Sequence, residues 1–130
     1  METLFRRDLL AWLAADAVLA AGCNTITDQS PPTASPPWIA IAASAAAPWG
    51  AKDAPGRELR LALELTTRAD DPAATADLVD ALERRVATLP AAQAGYRVVV
   101  TQFLRSRAER RAGEIRSVLT EYRFLLLAAA

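Results

Sequence analysis

Two consecutive carboxylates, Asp70 and Asp71, are the nearest this sequence comes to an acid–base pair. Such a pair can divide general-acid and general-base roles when its environment drives the two pKa values apart. Pro72 points to a plainer use. Proline at the first helical position has no N–H to leave unbonded, and an Asp beside it accepts from the free N–H groups of the first turn. Helix capping accounts for both residues. Glu64 and Glu121 lie in alternating stretches with arginines nearby, so ion pairing across strands is their expected role. The sequence has no histidine, and Cys23 is its only cysteine. A histidine-based dyad or triad, a disulfide framework and a Cys/His zinc site are therefore excluded. No glycine-rich phosphate loop leads into a helix, and no serine stands in a nucleophile-elbow context. The expectation is a protein that is not an enzyme, with no cofactor and no metal.

The one concentrated charge feature is basic. Arg105, Arg107, Arg110, Arg111 and Arg116 surround only Glu109 and Glu114. Three uses fit: a solvated hairpin tip, contact with phosphates without base readout, or planar pairing with carboxylates of a neighbouring subunit. Lys+Arg 15 against Asp+Glu 15 gives no net charge, so nothing draws the whole chain toward nucleic acid or an acidic membrane. Aromatic residues are not interleaved with the arginines, which weighs against a base-stacking surface.

The elements that must hold these groups are organised around residues 56–89. Leu59, Leu61, Leu63 and Leu65 alternate with Arg60, Ala62, Glu64 and Thr66, the pattern of a strand with one dry and one wet face. After Asp-Asp-Pro, the residues Leu78, Val79, Leu82, Val86 and Leu89 give a helix one apolar stripe. Upstream, residues 3–19 read as an amphipathic helix, 24–27 as a strand stub or loop, 28–37 as an exposed Pro-rich connection and 38–42 as a strand. Residues 45–55, with Pro48, Gly50 and Pro55, read as a loop in which Trp49 must lean on something. Downstream, residues 95–105 and 115–127 form a long hairpin, with Tyr96, Val98, Val100 and Leu104 on one face of its first strand. Its charged tip, SRAERRAGE, turns at Gly113, and the hairpin reads as projecting from the body. A chain of 130 residues suits a single domain spanning residues 1–130. The expected fold class is α+β: a mostly antiparallel, mixed β-sheet with two α-helices packed on one face and a long C-terminal β-hairpin.

The N-terminus offers a rival reading. Ala20-Ala21-Gly22-Cys23 follows an apolar run and looks like a lipoprotein cleavage box, which would lipidate Cys23 and anchor the chain to a membrane. Asp8 and Asp16 leave only residues 9–15 uncharged, the lower limit for a signal segment. An Asp within such a segment costs about 2.5–3.5 kcal/mol. Phe5, Leu9, Trp12 and Leu13 share one helical face instead, as in a helix docked on a sheet. No membrane association is expected. A small Arg-mediated nucleic-acid-binding module is the other alternative.

Read end to end, the chain resembles the tail-terminator (tail-completion) family of long-tailed phages and alphaproteobacterial gene transfer agents. The resemblance lies in LFRRDLLAWLAAD, the Pro37-Trp38-Ile39 strand start, PWGAKDAPGRELRLALELTTRADDP, AATADLVDALERRV, AGYRVVVTQFLRSR and SVLTEYRFLLLA. The alanine- and proline-rich stretch 27–47 departs from it. The resemblance implies a virion protein, assembled in the bacterial cytoplasm, that forms a homo-oligomeric ring of six copies at the head-proximal end of the tail. Such a ring ends polymerisation of the tail tube protein and joins the tail to the head-side stopper or connector protein. DNA passes through it without sequence-specific binding. It brings no catalytic residues with it. Head-to-tail ring closure needs two different patches to meet. Trp49, Arg60, Glu64, Arg105, Arg107, Arg110, Arg111 and Arg116 are the candidate residues for such an interface or for the channel wall.

Overall fold

A computed structural model of the protein describes residues 1–29, 35–68 and 70–129. Its elements are α1 (Glu2–Ala14), α2 (Ala17–Gly22), β1 (Thr25–Thr27), β2 (Trp38–Ala51), β3 (Ala54–Arg68), α3 (Pro72–Ala87), β4 (Ala92–Gln93), β5 (Tyr96–Arg111) and β6 (Ile115–Ala128). The strands form one six-stranded sheet in the order β1-β2-β3-β6-β5-β4. Only β1 and β2 run parallel; the other neighbours are antiparallel. This is the expected α+β class, a mixed and mostly antiparallel sheet with its helices on one face. Of the connection expected over residues 28–37, residues 30–34 lie outside the described residues.

β3 forms because its leucines repeat every second residue. Leu59, Leu61, Leu63 and Leu65 are all buried on one side, called the front here. Register carries that side onto β6 through Phe124, Tyr122 and Val118, and onto β2 through Ile39 and Ile41. The helices cover it with Phe5, Leu9 and Leu13 from α1, Leu19 from α2, and Leu78, Ala81, Leu82 and Val86 from α3. Each fully buried Leu, Phe or Val contributes about 1.5–3 kcal/mol relative to exposure, so this single layer supplies the driving force for folding.

The helix termini follow from single side chains. Asp71, not Asp70, is the N-cap of α3 and accepts from the Ala74 N–H at 3.0 Å. The helix expected over residues 3–19 is two helices. Asp16 ends the first and caps the second, accepting from the Val18 and Leu19 N–H groups at 3.1 Å. α1 and α3 are locked reciprocally: the Trp12 indole N–H donates to the Arg85 carbonyl at 2.8 Å, and Arg85 Nε donates back to the Trp12 carbonyl at 2.7 Å. The Arg85 guanidinium lies 3.4 Å from the centre of the Trp12 ring. Trp12→Phe keeps the stacked ring and loses the indole donor. A loss of about 1 kcal/mol is expected, read as a lower urea midpoint at unchanged slope.

Three further expectations about the strands need correction here. Residues 45–55 are not a loop, because β2 continues to Ala51 and pairs with β3 along its length. Pro48 is tolerated because this part of β2 lies at the sheet's edge, where a nitrogen facing away from β3 removes no ladder bond. The C-terminal hairpin does not project as an arm. β6 is paired to β3 from Gly56↔Leu127 to Arg68↔Ile115, so only the turn, with Gly113 and Glu114 at positive φ, lies past the end of β3. Bulges between Val98 and Val100 and between Phe103 and Arg105 also break the alternation of β5. They put Thr101 and Phe103 opposite Phe124 and Tyr122 on the front, and turn Val100 to the back.

Candidate interface on the back face of the sheet

The face opposite the helices is built by the other half of each alternation. β3 contributes Glu58, Arg60, Ala62, Glu64 and Thr66. Opposite them on β6 stand Leu125, Arg123, Glu121, Leu119 and Ser117. β5 continues the rows with Val100, Gln102, Arg105, Arg107, Glu109 and Arg111. β2 adds Ala43, Ala45 and Ala47, with Trp49 opposite Gly56.

Long side chains knit these rows across three strands. Arg123 on β6 reaches Glu58 on β3 at 2.9 Å and Gln102 on β5 at 3.4 Å. Arg105 on β5 pairs with Glu121 on β6 through both Nε and Nη2. That hydrogen bond, with the nearby positive charge, holds the Glu121 carboxyl below the usual carboxylate range. At the far end, Arg111 crosses β6 to donate to Glu64 Oε2 at 2.7 Å, and the Ser117 hydroxyl donates to the same oxygen at 2.8 Å. Glu64 is only 5% exposed as a result. Ala62 and Thr66 are buried beside it. The wet face expected for β3 is therefore largely dry from Ala62 onward, and Arg60 is its exposed member.

Of the residues singled out from the sequence, this face gathers Trp49, Arg60, Glu64, Arg105, Arg107 and Arg111. Trp49 is half-buried near the β2–β3 turn, at the opposite end from Arg111. Arg107 pairs with Glu109 at 3.3 Å. Arg110 and Arg116 do not belong here. They pair with each other in register on the front side, since Arg116 stands opposite Thr67, whose hydroxyl bonds Thr75 of α3. The basic tip is thus split between two faces, and much of its charge on the back is met by carboxylates of the same chain. Glu58, Gln102, Ser117 and Arg123 also belong to the ladder and were not anticipated. The alternation marks Glu58, but nothing in it shows how far Arg123 or Arg111 reaches sideways.

The face is shaped for contact more than for chemistry. Among the described residues, no group of three or more His, Cys, Asp or Glu side chains is placed to hold a metal ion. An open hollow of about 270 Å³ lies between the β2 alanines and Leu104, floored by Arg60, Ala62 and Glu121. Cys23 is far from it in role: half-buried after α2, with its thiol pushed up to about 11 by burial. No described helix is long and apolar enough to cross a membrane.

Among curated proteins, no sequence matches the chain. Among solved structures, a chain from the virion of a native gene transfer agent particle shares the fold with a TM-score of 0.76. It is 22% identical, and the match covers 92% of each chain. The sequence model of tail completion protein gp17 matches residues 7–127, nearly the whole of the sheet and its helical layer. The chain belongs to the tail completion protein gp17 family, and is a structural protein of a phage-type tail.

Proposed function

We propose that the protein forms a hexameric ring at the head-proximal end of the tail of a phage or a gene transfer agent. There it stops polymerisation of the tail tube protein and joins the tail to the head-side stopper protein, leaving a channel for DNA. The observation that carries this reading is membership of the tail completion family over residues 7–127. The fold shared with a chain of a gene transfer agent virion supports it. The back face fits a surface that meets a neighbouring copy or faces the channel. Arg60 stands opposite Arg123 in register, but Arg105, Arg107, Arg111 and Arg123 each pair with a carboxylate of their own chain, so passing DNA meets no strongly cationic wall. Arg60, exposed although its Nε lies 3.5 Å from Glu58, and half-buried Trp49 are residues of this face placed to touch a neighbour.

Lipidation of Cys23 fits the structure poorly. Cleavage before it would remove Phe5, Leu9, Leu13 and Leu19, all buried in the core. Locating the protein within particles tests the proposal. Label on a tagged copy, visualised by electron microscopy, is expected at one position per particle, the neck between head and tail. Label spread along the tube, or confined to the distal tip, would sink it.

A further inference from the structure

Both long outer strands outrun the strands that flank them. β2 has 14 residues, yet β1 pairs only with Trp38, Ile39 and Ala40. β5 has 16 residues, yet β4 pairs only with Tyr96 and Arg97. Among the described residues, the outer edges of 42–51 and 99–111 therefore present backbone N–H and C=O groups with no strand beside them. Native edges are normally guarded by charges, inward-pointing ions or brevity. β2 carries no charged residue anywhere in WIAIAASAAAPWGA, and Pro48 is its one guard. β5 exposes Val99, Phe103 and Leu104 at 43%, 49% and 37%, three large apolar side chains within six residues.

We propose that residues 43–47 of β2 in one copy pair edge to edge with residues 100–105 of β5 in a second copy, making one sheet continuous across the joint. The inference rests on the ring reading above and supplies the contact that such a ring needs. Three features favour this pairing over others. First, the two edges stand level. Ala43 pairs with Ala62, Ala62 with Glu121 and Glu121 with Arg105, while Ala47 runs through Glu58 and Leu125 to Val100. The alanine stretch 43–47 on one edge thus lies at the height of 100–105 on the other, and rotation about an axis along the strands brings them together. Second, β2, β3, β6 and β5 alternate in direction, so with four strands per copy every joint is antiparallel, the ladder already used between all the long strands. Third, side-chain chemistry opposes the symmetric alternatives. Pairing β5 with β5 sets arginines against arginines, and pairing β2 with β2 leaves Val99, Phe103 and Leu104 uncovered. Joining β5 to β2 places large apolar groups and arginines beside small neutral alanines.

The test uses particles assembled with the tail's natural partner proteins. Ala45 and Gln102 lie level and on the same face, through Arg60 and Arg123. The chain carrying A45C and Q102C, with Cys23→Ser, should be joined into covalent multimers by a short bis-maleimide, while each single-cysteine chain stays monomeric on a denaturing gel. Dimers from A45C alone, or no multimers in particles that hold the normal amount of protein and have normal tails, would overturn the edge pairing and leave the ring reading standing. Ala46→Pro gives a second arm. Pro48 faces its nitrogen outward, and the register is regular from Ala43, so the Ala46 N–H points outward too. Its loss should leave the thermal melt of the isolated chain unchanged and reduce incorporation into particles roughly tenfold or more. Incorporation at the wild-type level would overturn the proposal. A wild-type chain missing from purified particles would remove the ring reading, and this pairing with it.

Discussion

Phe5→Ala is expected to lower the free energy of unfolding by about 3–5 kcal/mol, a large fraction of the roughly 5–15 kcal/mol that holds a domain folded. Phe5 is 1% exposed and sits where α1 meets the sheet. Its ring centre lies 4.7 Å from that of Phe124 on β6 and 6.4 Å from that of Tyr96 on β5. Truncation removes apolar surface from the core and opens a cavity between a helix and two strands. The strands are fixed by their ladders and the helix by the Trp12–Arg85 lock, so the cavity has little scope to collapse. The control is Leu4→Ala on the same helix. Leu4 is 41% exposed, and its loss should stay within about 0.5 kcal/mol. Urea unfolding of both variants at unchanged slope is the measurement. Equal midpoints would show that α1 is not part of the cooperative core.

Arg111→Ala should cost about 2 kcal/mol, an unusual amount for an arginine with a half-exposed side chain at a hairpin tip. The reason is what it leaves behind. The Glu64 carboxylate is buried, and without Arg111 it keeps only the Ser117 hydroxyl among the described residues. Breaking a fully buried pair costs about 3–5 kcal/mol, and the exposure of Arg111 to water lowers the figure here. Glu64→Gln should then be less damaging in the Arg111→Ala background than in the wild type, because the uncompensated charge is gone. The coupling in a double-mutant cycle of thermal or urea stability is expected to be about 1 kcal/mol or more. Arg110→Ala, one residue away on the other face, serves as the comparison and should change stability by less than about 0.5 kcal/mol. Similar small losses for Arg110→Ala and Arg111→Ala would mean that the ladder across the back face does not hold Glu64 in solution.

The central unit of the fold was legible because its signals are local. Period-2 leucines place β3, an apolar stripe places α3, and an Asp before a Pro caps that helix. What escaped depends on partners that no local pattern names. A run of alanines has no alternation to read, so the outer half of β2 looks like a loop until β3 is laid beside it. Two bulges in β5 each add a residue and flip the faces, which moves Phe103 to the front and Val100 to the back. Asp16 reads from the sequence as a charge interrupting an apolar run, whereas in the structure it ends one helix and starts another. The arginine cluster was visible as composition only. Which of its members sit together depends on strand parity, which sends Arg105, Arg107 and Arg111 to one face and Arg110 and Arg116 to the other. Family membership was legible in the order of elements along the chain, where no single motif carried it.

The role proposed for the protein is to end the growth of a tail tube. Electron microscopy of particles produced with and without the protein tests that claim directly, through the distribution of tail lengths. Without it, tails should lose their fixed length, overgrow the normal limit and fail to join heads. Tails of normal, uniform length attached to heads in its absence would contradict that role.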